Sequence, residues 1–191
     1  LLDRHVAEGR GERLCLQAQG VHWTYADLQA QANRIANVLT TQMGLVPGNR
    51  VLLRGPNNPM MVASWFAVVK AGGIAVAAMP LLRAKELGTI IEIAQVSHAL
   101  CDAAQLAEVQ AAQAANPRLQ AVRYFNGSGL PAAQALEPLM AQASPHFDAV
   151  QTAATDTCLL GFTSGTTGVP KATMHFHRDV MAVCACWPRH V

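Results

Sequence analysis

Between residues 50 and 125, short apolar runs alternate with helical stretches, and this alternation restricts the possible folds more than any other feature of the chain. VLLRG is followed by PNNP, a helical stretch over 60–71, Gly72-Gly73 and the run IAVAAM. A second round brings a helix over 85–95, a strand over 98–101, an Ala/Gln helix over 103–114, Asn116-Pro117 and a strand over 121–125. Strand and helix in turn, with short breaks, predict an α/β fold in which a mostly parallel sheet is covered by helices on both faces. The 191 residues are enough for a real core, but the 51% hydrophobic fraction includes 34 alanines. Each alanine buries far less apolar surface than a leucine, so the covering helices should be alanine-rich.

Ahead of this unit, RLCLQAQG alternates and predicts a strand over 13–19, a turn at Gly20 and a second short strand through His22-Trp23. Thr24 has the chemistry of an N-cap, with Asp27 three residues on as a short-armed capping box. Leu28, Ala32, Ile35, Ala36 and Leu39 follow at helical spacing, and this helix should stop near Gly44, before Pro47-Gly48. Trp23 and Tyr25, beside a turn and a helix start, read as core and staple residues rather than a cofactor platform. Asn57-Asn58 between prolines is turn chemistry.

After the second round, residues 126–151 carry Gly127, Gly129, Pro131, Pro138 and Pro145 around a helical candidate over 132–142, and form a connector. The organisation is therefore an α/β core over 13–125, the connector over 126–151, and a strand, loop and following helix over 152–191.

Composition removes several function classes. A net charge of +2 from 14 basic and 12 acidic residues supplies no basic stripe for a nucleic-acid backbone. The longest apolar stretch, 60–82, is broken by Lys70, Gly72-Gly73 and Pro80, so no bilayer span is expected. LLDRHVAEGRGERL lacks the pattern of an export signal. The five cysteines, odd in number and mostly within apolar runs, fit reduced thiols in a cytoplasm.

The chemistry concentrates at residues 156–171. DTCLLGF reads as a buried strand that runs directly into TSGTTGVPK. A strand feeding a glycine- and hydroxyl-rich loop with a lysine at its end is a polyphosphate-binding design. Glycines let backbone N–H groups approach the ligand, hydroxyls donate to phosphate oxygens, and the lysine adds a mobile point charge. Lys171 is one of only three lysines, with Lys70 and Lys85, against eleven arginines. The loop is not a Walker A sequence, because G-x-x-x-x-G-K-[ST] is absent and Pro170 stands before the lysine, where the helix of that motif would begin.

FTSGTTGVPKAT resembles the phosphate-binding signature of the adenylate-forming superfamily of acyl- and aryl-CoA synthetases, peptide-synthetase adenylation domains and luciferases. WTYADLQAQANRIANVL, GLVPGNRVLLRGPNNP and WFAVVKAGGIAVAAMP are similar to the N-terminal part of these enzymes, so the resemblance covers nearly the whole chain. KATMHFHRDVMAVCACWPRHV looks most like the benzoate– and 2-aminobenzoate–CoA ligase branch. Ala172 stands where the superfamily commonly has glycine, a replacement that branch accepts.

The resemblance implies a two-step reaction. A carboxylate attacks the α-phosphorus of ATP, which arrives with Mg2+, to give an acyl-adenylate and pyrophosphate; the thiol of CoA then displaces AMP. By motif match it assigns ATP-phosphate contact to Thr163, Ser164, Gly165, Thr166, Thr167, Gly168 and Lys171. It further implies a small aromatic carboxylic acid as substrate. The acid pocket, the adenine and ribose segments, the magnesium-associated glutamate and a mobile C-terminal domain with its catalytic lysine have no counterpart in these residues. The chain is accordingly expected to be an N-terminal fragment with no catalytic residue and no metal site of its own, inactive in isolation. The competing reading is a non-catalytic nucleotide-binding or interaction module. An open sheet edge would be a cause of self-association into homo-oligomers.

A zinc site built from His175, His177, Cys184, Cys186 and His190 is disfavoured, because ligand pairs one residue apart suit a tetrahedron poorly. Cys184 and Cys186 read as small apolar residues near a helix end. His177 reads as a packing or capping histidine at the start of the helix that Arg178-Asp179 opens.

Overall fold

The computed structural model describes residues 2–18, 20–163 and 170–186. The chain opens with a short helix, α1 (Leu2–His5), that widens into a π-type turn over Val6–Arg10. No local pattern foretold it, because it is held by distant partners. Leu2 is buried, and the Asp3 carboxylate accepts from Lys70 Nζ at 2.5 Å and from Gln29 Nε2 at 2.7 Å. β1 (Leu14–Ala18) and β2 (Val21–Thr24) follow as an antiparallel hairpin.

α2 (Tyr25–Thr41) begins with the expected capping box: Asp27 N donates to Thr24 Oγ1 at 3.1 Å and Thr24 N donates to Asp27 Oδ2 at 2.9 Å. It ends three residues before the anticipated Gly44, which takes φ +72° in the exit turn. The α/β unit then runs through β3 (Arg50–Arg54), α3 (Pro59–Lys70), β4 (Ile74–Ala78), α4 (Ala84–Ala94), β5 (His98–Asp102), α5 (Leu106–Ala115) and β6 (Ala121–Phe125). Asn58 starts α3 by accepting Met61 N at its side-chain oxygen (2.9 Å), with Pro59 as the first helical residue, where a missing N–H costs nothing. The helix expected over 103–114 is divided. Asp102 accepts from Ala104 N at 3.0 Å and starts a 3₁₀ turn over Ala103–Gln105, and only then does α5 begin.

The connector corrects a second expectation. Its helix, α6, covers only Glu137–Gln142, not the whole of 132–142. Residues ahead of it are taken up by the sheet edge: Tyr124 N donates to Gln134 O (2.9 Å) and Leu136 N to Tyr124 O (2.8 Å). Pro138 falls in the first turn of the helix that remains. Beyond α6, side chains of α2 grip the connector's backbone. Arg34 donates to the carbonyl of Ala143 (2.6 Å), Asn33 to that of Pro145 (2.7 Å), and Asn37 to those of Ser144 and His146 (both 2.9 Å).

β7 (Thr157–Thr163), β8 (Lys171–Phe176) and α7 (His177–Cys186) complete the described chain. The six-stranded sheet has the order β6-β5-β3-β4-β7-β8, parallel except for β8. Consecutive β3 residues face opposite ways, as a pleated strand requires. Val51 and Leu53 pack under α2, α3 and α6, whereas Leu52 packs under α4 and α5. The alanine-rich prediction holds where α2 meets the α3 side of the core, since Ala32, Ala36, Ala63 and Ala67 are all fully buried. Such small side chains let the helices and sheet approach closely.

Candidate functional site

The elements on either side of the Ser/Thr/Gly-rich loop sequence form an antiparallel pair. β7 leads out along the sheet and β8 returns beside it, with Gly161 opposite Thr173, Phe162 opposite Ala172 and Thr163 opposite Lys171. Ser164, Gly165, Thr166, Thr167 and Gly168 lie outside the described residues. Thr163 and Lys171 are both exposed at the two feet of the loop. The strand β8 was not anticipated, and its cause is the cross-strand fit. Thr173 Oγ1 donates to the Gly161 carbonyl at 3.1 Å and lies 3.3 Å from His175 Nε2. A Cβ on Gly161 would come within 3.2 Å of that hydroxyl, so a larger residue here would press on the Thr173 side chain.

β7 is less buried than its composition suggested. Cys158 is buried, but Leu159 to Phe162 are only half-covered. At the far end of the hairpin, α7 is capped by Asp179, whose Oδ2 accepts from Phe176 N at 2.9 Å. His177, the candidate cap, instead donates its backbone N–H to the Asp156 carbonyl at 3.2 Å. Cys184 and Cys186 are exposed, not packed, and His190 lies outside the described residues. Among the described residues no three metal-binding side chains come together. No helix among them is long and apolar enough to cross a membrane.

Open α/β sheets usually bind ligands in the crevice at the carboxyl ends of strands whose connections leave toward opposite faces. Here that crevice lies between β3 and β5, since α3 covers one face and α5 the other. It is filled by the chain's own groups. The Asp102 carboxylate accepts from Asn58 Nδ2 (3.0 Å), Asn126 Nδ2 (2.9 Å) and Ala104 N (3.0 Å), against a glycine, Gly55. Next to it, the fully buried Arg54 donates through Nη2 to the carbonyls of Pro80 (2.9 Å) and Leu82 (2.6 Å) and to Gln105 Oε1 (3.1 Å). Burial pushes its guanidinium pKa down, with Cys101 and Glu108 acting the other way. Cys101 and Tyr124 occupy the same cross-strand row, Arg54↔Cys101↔Tyr124. Burial raises the thiol of one and the phenol of the other to about 12, so neither ionises near neutrality.

Beside this crevice, Arg54 fixes the turn after β4, and β7, which pairs with β4, presents Thr163 at its carboxyl end. Arg54 and Asp102 were missed from sequence. The only signal was a charge at the end of each apolar run, VLLRG and HALCD.

Residues 3–191 match the AMP-binding enzyme family. The mitochondrial acyl-coenzyme A synthetase ACSM5 of Mus musculus is 32% identical over 155 residues, covering 81% of this chain and 27% of that protein. Benzoate–CoA ligase of Thauera aromatica is 27% identical over 198 residues, covering 100% of this chain and 36% of the relative. A crystal structure of the anthranilate CoA ligase AuaEII with anthranoyl-AMP superposes with a TM-score of 0.92 at 24% identity, covering all of this chain and 36% of that one. The chain belongs to the AMP-binding enzyme family, and its α/β sheet is that of the N-terminal domain of adenylate-forming enzymes. It spans roughly a third of the length of these relatives.

Proposed function

We propose that this chain carries the phosphate-binding hairpin of an acid–thiol ligase, which activates a small aromatic carboxylic acid as an acyl-adenylate and passes it to CoA. The observation that carries the reading is the register pair Thr163↔Lys171, which brings a hydroxyl and an ammonium to the two feet of a Ser/Thr/Gly loop at the carboxyl end of β7.

The chemistry needs little covalent help from protein. As the acid's carboxylate attacks the α-phosphorus, the bond to the β,γ-pyrophosphate breaks and negative charge builds on the leaving group. Lys171 neutralises that charge as a point cation, and the hydroxyls of Thr163, Ser164, Thr166 and Thr167 donate to the phosphate oxygens. Gly165 and Gly168 let the backbone approach. Magnesium enters with ATP, and CoA accepts the acyl group in the second step. The aromatic preference rests on the likeness to benzoate–CoA ligase and on the branch-like segment that follows the loop. A cytoplasmic setting, where ATP and CoA are both at hand, fits this reaction.

The domain reading follows: residues 13–125 form the scaffold, 126–151 strap it, and 152–191 carry the loop. The 191 residues alone should form no thioester. The test is acid-dependent ATP–pyrophosphate exchange by a chain extended to the relatives' length, with benzoate, 2-aminobenzoate and a long-chain fatty acid in parallel. Exchange with the aromatic acids supports the reading. Exchange with the fatty acid alone removes the aromatic assignment, and exchange with none leaves a nucleotide-binding module.

A further inference from the structure

A cavity of about 220 Å³ lies between α1, α3 and α7, beside Cys158 at the foot of β7. Five residue steps of extended strand lead from Cys158 to Thr163, a distance of about 16 Å, so the cavity is remote from the Ser/Thr/Gly loop. Its wall is mostly apolar, with Trp65, Phe66, Val69 and Met181 beside the polar Thr152 and His177, and the first two rings meet edge-to-face at 5.2 Å. One cation opens onto it. Lys70, the last residue of α3, has a side chain only 8% exposed. Its one ion-pair partner among the described residues is Asp3.

The chain itself places two consecutive groups against this cavity. Leu2 contributes an apolar side chain, buried to 4% exposure, and Asp3 contributes the carboxylate at 2.5 Å from Lys70 Nζ. An apolar body joined to a carboxylate is the chemistry of a small apolar acid. Asp3 is 47% exposed on its outer side, so it can turn into water and release the ammonium without being stranded.

From this arrangement we infer a second ligand site: the cavity binds a small apolar carboxylate, whose carboxyl group takes the place of Asp3 on Lys70 while its ring or alkyl body lies against Trp65 and Phe66. Leu2-Asp3 is the built-in competitor, so binding and the docking of α1 oppose one another. The volume suits a single ring, since cavities of about 150 Å³ admit benzene. This site is independent of the ligase reading, because it uses no residue of the loop.

The test uses the 191-residue chain with benzoate as probe, followed through the Trp65 indole and the amides of Val69 and Cys158 by NMR. Asp3→Ala should tighten benzoate binding at least tenfold over the wild type, and Lys70→Met should abolish it in both backgrounds. Inorganic pyrophosphate should not displace benzoate. Equal binding by wild type and Asp3→Ala, absence of binding to both, or displacement by pyrophosphate overturns the inference. The Asp3→Ala comparison decides the matter even if Lys70→Met fails to fold. Failure here leaves the exchange assay above untouched, and failure there leaves this site untouched.

Discussion

Thr163 and Lys171 stand opposite one another as the end pair of the antiparallel β7–β8 ladder. Paired antiparallel residues keep their Cα atoms about 4.5–5.5 Å apart, so the loop between them is clamped at both feet by strand pairing. In a Walker-type loop the corresponding clamp is a helix N-terminus. Here the cation comes from a strand that returns to the sheet, and Pro170 just before it lies outside any helix.

Removing the Lys171 ammonium should therefore weaken phosphate binding without disturbing the fold. The side chain is exposed, so Lys171→Ala should leave the thermal midpoint unchanged. A charge-assisted hydrogen bond contributes about 1.5–3 kcal/mol. Isothermal titration with inorganic pyrophosphate should show Kd rising about tenfold to a hundredfold.

Gly161→Val tests the register of the same hairpin. The new Cβ would meet Thr173 Oγ1 at 3.2 Å and His175 Nε2 at 3.6 Å, within a pair that also holds the Thr173 hydroxyl on the Gly161 carbonyl. Overpacking of this kind costs about 1–3 kcal/mol. Amide hydrogen exchange in β8 should accelerate while β3 and β5 keep their protection.

Arg54 offers a test of how the turn after β4 is held. Arg54→Ala would leave the Pro80 and Leu82 carbonyls and Gln105 Oε1 without their donor and open a cavity, and should cost about 3–5 kcal/mol in urea unfolding. Arg54→Met keeps most of the volume. Among the described residues Arg54 Nε and Nη1 have no hydrogen-bond partner, so methionine also removes two buried donors that are already a burden. Its loss should be clearly smaller than that of alanine.

His98 gives the fold an acid sensitivity. It is buried, with Nδ1 at 2.7 Å from Ser97 Oγ and Nε2 at 3.0 Å from the Met43 carbonyl. Burial lowers its pKa below the ordinary 6.5, partly offset by that carbonyl. The unfolded chain therefore binds this proton first as pH falls. The stabilisation is complete above pH 6.5 and is lost progressively as pH drops toward the lowered folded value. Urea unfolding between pH 7.5 and 5.5 should show a steeper loss for the wild type than for His98→Gln.

What the sequence made legible was local. The Thr24–Asp27 capping box, the strand–helix alternation from residue 50 and the Ser/Thr/Gly loop before Lys171 depend on neighbours a few positions apart, and all can be read from the amino-acid order. Arg54 could not be read this way, because the carbonyls it holds lie 26 and 28 residues downstream. Lys70 needs Asp3, 67 residues away, to explain its burial. β8 was overlooked because KATMHF shows no clean alternation and becomes a strand through its pairing with β7, which lies across the loop. The helix expected over 132–142 lost its first part because the edge of β6 takes up Gln134 to Leu136.

The proposed phosphate site at the β7–β8 hairpin can be read by titrating inorganic pyrophosphate into the 191-residue chain while following its amide resonances. Saturable shifts should appear at Phe162, Thr163, Lys171 and Ala172, with Asn58, Asp102 and Asn126 in the filled crevice unmoved. Shifts centred on those three crevice residues, or no saturable shift at the feet of the loop, would contradict it.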